Sequence, residues 1–574
     1  MMKSFFSLAL VGMLALPMVA QAGQQTDTLD ISRRIDELNS QLQKLKATMA
    51  EQEKTRMDGS SSLEGLRATI DDLEERSDEW DLASRISLYG DFRARMDYNS
   101  TDVPAYFNAR EVAMAMRGFG VTAASSTTDI RNAFNGFMAM APTAEARQAM
   151  LGGAMLMQPA HTVKNDTLFS NRVRLNMRVK ATENVEFKGR FVGYKVWGMQ
   201  SSPFPEDANG VYSPFFLSSR SFDGTSGRTP ADSSLLVDRA FVNWNNIGGH
   251  PFWFSVGRRP TTDGPPAHLR MGNVHRMATP ISYMDYPFDG ISLGYAYRAP
   301  FGLEGNGRVR FCYGRGFEAG LLESGTGMDD TDFAGLSWDI LKQGNRFLNL
   351  QTFGAFNLFN VPGDTLYPNP IEIAEAAANP NYTGGTNLDR INMGDIYHTS
   401  LVYMDKVEQA NLNYFLTFGW SHTNAEAIDE LGASLLGSWG AEPEDKDGYG
   451  FYAGLRYDID QIGLKLGAEF NYGSENWLAF TPGHDDYTQS KLYTRGKVYE
   501  AYLIYDLPTG EAVSKYAQTF IRLGYQHYDY DYTYSGMWLG TPTKIEYLND
   551  PATAQFYAPT EEMDQVYLTF EAYF

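Results

Sequence analysis

Cysteine is almost absent from this chain of 574 residues, where Cys312 is the single thiol. One thiol cannot build a disulfide framework, and without a C-x-x-C-H segment there is no c-type haem attachment. Histidine is also scarce, with 8 residues scattered along the chain. No G-x-S-x-G segment occurs, so signatures of hydrolytic catalysis are missing and no enzyme is expected. Net positive charge is lacking as well: 48 Lys and Arg stand against 70 Asp and Glu, a balance of -22. Nucleic-acid binding, which draws on a basic surface, is therefore excluded. Beyond the first 22 residues no apolar run approaches the ~20 residues that a helix needs to span a bilayer, and the mean hydropathy is -0.36.

Aromatic residues and glycine are plentiful: 34 Tyr, 35 Phe and 54 Gly. Tyr- and Gly-rich alternating segments suit a membrane β-barrel, whose lumen-facing half keeps the mean hydropathy low. Residues 1–22, MMKSFFSLALVGMLALPMVAQA, carry Lys3, an apolar run from Phe5 to Ala20 and a small-residue exit. That is the layout of a signal peptide cleaved before Gly23.

Residues 23–83 read as a stalk. Ile31, Ile35, Leu38, Leu42, Leu45 and Met49 follow four-three heptad spacing, and Leu63, Leu66, Ile70, Leu73 and Trp80 continue it after the turn-like MDGSSS at 57–62. The register survives the interruption, which favours one coiled coil on the order of 75 Å long over a folded-back hairpin. So polar a helix cannot bury its seam alone. Two further copies of the chain are the simplest partners.

From Ser84 to Phe574 the period becomes two, in sixteen segments that run from 84–98 and 168–181 through 491–507 and 516–530 to 563–574. Short connections such as 181–185, 245–250 and 458–463 alternate with long ones such as 99–167, 198–233, 259–286 and 531–562. Short turns on one side and long loops on the other are the pattern of an even-stranded transmembrane barrel, an all-β fold. Acidic loop stretches at 328–332, 441–448 and 481–487 read as solvated, with divalent cations beside lipopolysaccharide as the alternative.

Within FSNRVRLNMRVKA, Val173, Leu175, Met177 and Val179 share one face, while Arg172, Arg174, Arg178 and Lys180 share the other. A charge on the lipid face at mid-depth costs ~2–4 kcal/mol, so the charged face must look into the lumen. The same reasoning turns Arg93, Arg95, Lys188, Arg190, Arg308 and Arg310 inward, with Arg239 and Arg298 as candidates elsewhere and Glu469, Glu500 and Glu571 opposing them. Strands ~4.8 Å apart would join the first three sets into one basic wall. Such a wall favours anions if the lumen conducts; mutual satisfaction of Arg and acid in a wet lumen is the alternative.

Two loop segments invite a metal reading. The 99–167 loop is rich in Met, including Met114, Met116, Met138, Met140, Met150, Met155 and Met157, but adaptable packing is the commoner use of such residues. The loop could also enter the lumen as a constriction or plug. The segment 257–276 holds Asp263, His268 and His275 at a spacing that matches no metal motif. Neither a metal nor a cofactor is expected.

The last strand places Val566, Leu568, Phe570, Ala572 and Phe574 in one row. This resembles the C-terminal signature of outer-membrane barrel proteins, which implies handling by the barrel-assembly machinery. With the signal peptide and heptads, the whole chain resembles trimeric porins, above all the phosphate-selective and other stalk-bearing ones, and also uncharacterised porins of deltaproteobacteria. The resemblance implies a homotrimer in the lipid and lipopolysaccharide of a Gram-negative outer membrane, with its coiled coil in the periplasm. It implies passive diffusion of small hydrophilic solutes, without catalysis. General porins constrict with their third loop, whereas here the first is the large one, so no constriction residue carries over. Two other readings stand beside the channel: a plugged barrel that anchors the outer membrane to peptidoglycan, and a barrel partner of an electron-transfer cytochrome complex.

Overall fold

Every alternating segment becomes a strand, and the sixteen strands close into one antiparallel barrel. A computed structural model describes residues 36–48 and then, with interruptions, 85–574; the longer segments outside the description are 1–35, 49–84, 199–229, 273–282, 299–304, 322–328, 360–391 and 427–433. The barrel strands are β1 (Ile86–Val103), β2 (His161–Lys180), β3 (Val185–Val196), β4 (Leu236–Trp244), β5 (Phe252–Arg259), β6 (Phe288–Arg298), β7 (Asn306–Phe317) and β8 (Thr331–Gln343). They continue as β9 (Arg346–Phe359), β10 (Asn392–Val407), β11 (Leu412–Ala425), β12 (Asp447–Ile459), β13 (Leu464–Gly473), β14 (Gly496–Asp506), β15 (Gln518–Tyr530) and β16 (Glu562–Tyr573). Closure pairs β1 with β16 through contacts such as Arg93 with Glu571 and Arg95 with Thr569. Beyond the end of β16, the Phe574 amide and carbonyl bond Gly90 at 3.0 and 2.8 Å.

The alternation sorts the two faces as expected. Val173, Leu175, Val256, Leu293, Phe311, Leu401, Phe418 and Leu466 are exposed on the outside, while Arg93, Arg172, Arg174, Arg190, Arg310, Gln565 and Glu571 are buried within. Val566, Leu568 and Phe570 lie on the outer face of β16, between the buried Gln565, Tyr567, Thr569 and Glu571. Exposed Trp244, Tyr295, Trp338, Tyr397, Trp420, Tyr449, Tyr457, Tyr499, Tyr505 and Tyr525 supply amphipathic rings on the same exterior, the chemistry of interfacial girdles. Among the described residues no helix is long and apolar enough to cross a membrane.

The chain divides into two compact units, residues 1–87 and 88–574, with the boundary inside β1. The described helix of the first unit is 36–48, in which Leu38, Leu42 and Leu45 are half-buried and the other residues exposed. Ile31, Ile35, Met49, Leu63, Leu66, Ile70 and Leu73, together with the expected signal peptide at 1–22, lie outside the described residues.

Two boundaries differ from the expectation of 99–167 as loop and 491–507 as strand. β1 and β2 extend to Val103 and from His161, which shortens the first loop at both ends. Lys491–Tyr493 forms a 3-10 turn, capped by Ser490 Oγ accepting from the Leu492 amide at 3.3 Å, so β14 starts only at Gly496. The first loop folds around α1 (Ala109–Ala115), α2 (Thr127–Met140) and α3 (Ala144–Met150), with two-residue strands Tyr106–Phe107 and Met157–Gln158 paired at its neck. Met114, Met116, Met138 and Met157 pack with Phe107 and Phe137 in its small core, as adaptable fillers. This loop docks on the last long loop: Ala109 donates to the Gln555 carbonyl at 2.8 Å, and the Arg147 Nε bonds Asp550 at 2.7 Å. Burial raises the Asp550 pKa, but the hydrogen bond from Arg147, that from the Ala552 amide and the Arg147 charge together outweigh it and hold the carboxyl below its ordinary value.

Candidate pore lumen

Carboxylates are woven among the arginines and lysines expected to form a basic wall. Asp91 receives Arg174 at 2.7 Å and Arg172 at 3.3 Å, Arg95 bonds Asp97 at 2.9 Å, and Glu186 takes both Arg178 and Lys188 at 2.6 Å. Arg190 pairs with Asp238, and Arg308 and Arg310 share Asp339. Arg93 donates to the Tyr194 hydroxyl at 3.0 Å, and Lys180 is exposed. Arg178 and Lys188 keep 44% and 36% of their side chains exposed, which makes the short-turn end of β2 and β3 the wettest part of this wall. Taking such charges out of water is costly, and pairing with good geometry recovers much of that cost.

A different segment from the expected one enters the lumen. Residues 264–272, on the third long loop, form successive turns closed by Leu269 to the Pro266 carbonyl at 3.0 Å and Met271 to the Ala267 carbonyl at 3.1 Å. Their tip meets the far wall. Arg270 bonds Glu500 of β14 at 2.7 Å and also holds Asp486, while Arg522 of β15 donates to the Arg270 carbonyl at 2.8 Å and Arg456 of β12 to the Leu269 carbonyl at 2.8 Å. In a ring of sixteen, β6 and β14 stand opposite one another. The loop that ends in β6 therefore crosses the lumen. Lys491 joins the same cluster by pairing with Glu469 and Glu500. His268, expected only as a loop residue, is buried beside Arg270; Asp263 and His275 lie outside the described residues, and among the described residues no cluster has the makings of a metal site.

The lumen face of β8 to β12 is of another kind: Phe333, Phe353, Ala355, Ile396, Met404, Phe415 and Tyr452 are buried there with Trp477, Phe480 and Trp538 from the loops. Trp477 sits in a cradle of glycines. Gly419, Gly450 and Gly473 pair in one row across β11, β12 and β13, and a Cβ at each would come within 2.3, 2.5 and 2.6 Å of the Trp477 ring. Only residues without a side chain leave that space. The indole donates to the Leu492 carbonyl at 2.8 Å, and His398 lies 5.3 Å away, stacked on Phe353 at 5.1 Å. Above it Arg495 donates to four carbonyls, those of Trp477, Thr533, Tyr534 and Met537, at 2.7 to 3.3 Å. Burial pulls its pKa down to about 9, so it stays charged at neutral pH and ties two long loops together.

Arg93, Arg95, Arg172, Arg174, Arg190 and Arg310 are buried; period two did not single out Asp238, Arg270, Trp477 and Arg495. Asp238 is buried next to the equally buried Arg239 because the β3–β4 register shifts at Arg190/Phe191, which defeats alternate counting. The glycine row was a usable signal, since three Gly at matched register positions mark a close approach. Arg270 and Arg495 lie in loops, where periodicity says nothing.

A family model described as "Protein of unknown function (DUF3373)" matches residues 162–574, more than half of the chain. No curated protein matches the sequence. Among solved structures, the chain is similar to OmpT of Vibrio cholerae (9% identity, 85% of this chain and 99% of that one, TM-score 0.35). An anion-selective porin from Comamonas acidovorans gives 9% identity, 85% and 99% coverage and a TM-score of 0.37. The outer membrane channel DcaP of Acinetobacter baumannii gives 10%, 85% and 97% coverage and 0.36. The functional reading therefore rests on the lumen geometry alone.

Proposed function

The chain belongs to the DUF3373 family, and from its barrel we propose a constricted outer-membrane channel that passes small hydrophilic solutes, anions in preference, without catalysis. The observation that carries this reading is a closed cylinder with an apolar exterior and a charged interior. A sheet without edges satisfies its backbone internally, and its apolar outer face is stable only in lipid. Residues 264–272 and 490–495, with Asp486, occupy the side of β12 to β15, so a solute path runs along the wall of β1 to β8. On β1 to β3 the eight cations Arg93, Arg95, Arg172, Arg174, Arg178, Lys180, Lys188 and Arg190 face Asp91, Asp97, Glu186 and Asp238, an excess that supports the anion preference. The helix at 36–48 would lie in the periplasm and join its counterparts in a trimer.

The buried Arg270 clamp and the Trp477 cradle favour a second reading, a plugged barrel anchored through its stalk. Planar-bilayer recording separates the two: stepwise openings support the channel, and silence supports the anchor. Under a salt gradient the reversal potential should carry the anion-selective sign; the opposite sign removes that preference. Deleting residues 24–80 should weaken the oligomer, and an unchanged oligomer removes the stalk from that role.

A further inference from the structure

We propose that a recess on the lumen wall between β5 and β9 is a subsite for small organic carboxylates with an aromatic or branched apolar body, the carboxylate being received by Arg259. The inference deepens the channel reading and rests on it for the route by which such a solute arrives.

Arg259 differs from the carboxylate-paired arginines of the lumen. Among the described residues its contacts are the Cys312 thiol, 3.9 Å from Nη1, and the Trp253 ring, 5.7 Å from the guanidinium carbon. Its Nε is buried without a hydrogen-bond partner, and no carboxylate of the described chain meets it. Next to it Arg308 and Arg310 share Asp339, and across the lumen Arg270 holds Asp486 and Glu500. A partly buried cation without a counter-charge is costly. A diffusing anion would supply a partner that none of the described carboxylates provides, and a guanidinium fork suits a carboxylate in particular.

The rest of the recess sets the kind of anion. Arg259 shares it with Cys312 and Gln351, and Phe288, Phe333 and Phe353 line it as well. The Phe288 and Phe333 rings lie 4.3 Å apart, a ready-made apolar wall. An inorganic anion would use the charged end and leave that wall bare. A carboxylate on an apolar body covers both, and every apolar group it buries there adds to its hold.

Cys312 is the chain's only thiol and lies partly exposed in the recess, so it reports on occupancy without any substitution. With the purified protein in detergent, Cys312 should react faster with an anionic sulfonatoethyl methanethiosulfonate than with its trimethylammonium counterpart, on the order of tenfold. Benzoate should slow the reaction saturably, acetate and phosphate much less. Arg259→Gln should equalise the two reagents and Arg259→Lys should restore the preference. Equal rates in the unaltered protein, protection by acetate as good as by benzoate, or a thiol inert to both reagents would overturn the proposal. Bilayer silence with benzoate protection intact removes the channel and leaves the subsite; conduction with no protection removes the subsite alone.

Discussion

Two halves of one lumen follow different rules. Along β1 to β3, alternate side chains are Arg, Lys and the carboxylates that hold them, and the wall meets solvent at Arg178 and Lys188. Along β8 to β12, the same inward positions carry Phe333, Phe353, Ile396, Met404 and Phe415, and loop residues Trp477 and Phe480 fill the space before them. An inward position in a barrel is therefore not by nature wet. What decides is what the covering loop brings: Trp477 and Phe480 make an apolar core against β8 to β12, whereas residues 264–272 meet β14 and β15 through the buried charges of Arg270, Glu500 and Arg522.

The sharpest way to break that contrast is to cut the clamp on the covered side. Arg270→Ala leaves Glu500 and Asp486 buried without their guanidinium, a loss of about 3–5 kcal/mol. Single-channel conductance should rise as residues 264–272 leave the far wall; unaltered conductance together with unaltered denaturant stability would show that Arg270 does not hold the loop. Trp477→Ala empties the glycine cradle and should cost about 3–5 kcal/mol, read as a lower unfolding midpoint. If the midpoint does not move, the aromatic side is not a packed core.

The charged half can be tested through its faces. Leu175→Arg on the outside should destabilise by ~2–4 kcal/mol, whereas Asn176→Arg one position along should cost far less, as its side chain enters the lumen. Equal costs would overturn the inside-outside assignment. The smallest effect belongs to the rim. Arg147→Ala should loosen the first loop from the last by about 1 kcal/mol or less, because the pair is partly solvated. The Asp550 carboxyl is held below its ordinary value, so the docking it contributes is complete above the free-Asp pKa of about 3.9 and fades as pH falls through the lowered one. Limited proteolysis of residues 104–160 should thus show protection at pH 5 and cleavage only in strong acid; cleavage already at pH 5 would rule out the Arg147–Asp550 latch.

How much of this was legible follows the same division. Strand count, face assignment and the inward set from Arg93 to Arg310 all come from period two, since one misdirected arginine costs more than any local preference offsets. The interleaved acids were half legible: Asp91, Asp97 and Glu186 share the parity of their partners, but a register shift concealed Asp238. The loop entering the lumen was not legible. Its anchor is a contact between residues 230 positions apart, Arg270 and Glu500, and nothing near either residue in the chain announces the other. The largest loop was the obvious candidate for a plug, yet its Met and Phe content builds a core of its own.

Arg495 grips carbonyls from two separate long loops with one guanidinium. Nε bonds one loop and Nη1 and Nη2 the other, so slackening of either leaves part of one buried guanidinium unpaired and couples the two. Any fluctuation that widens this side of the lumen must then be a joint event, and current through the barrel should flicker between discrete levels rather than drift over a continuum.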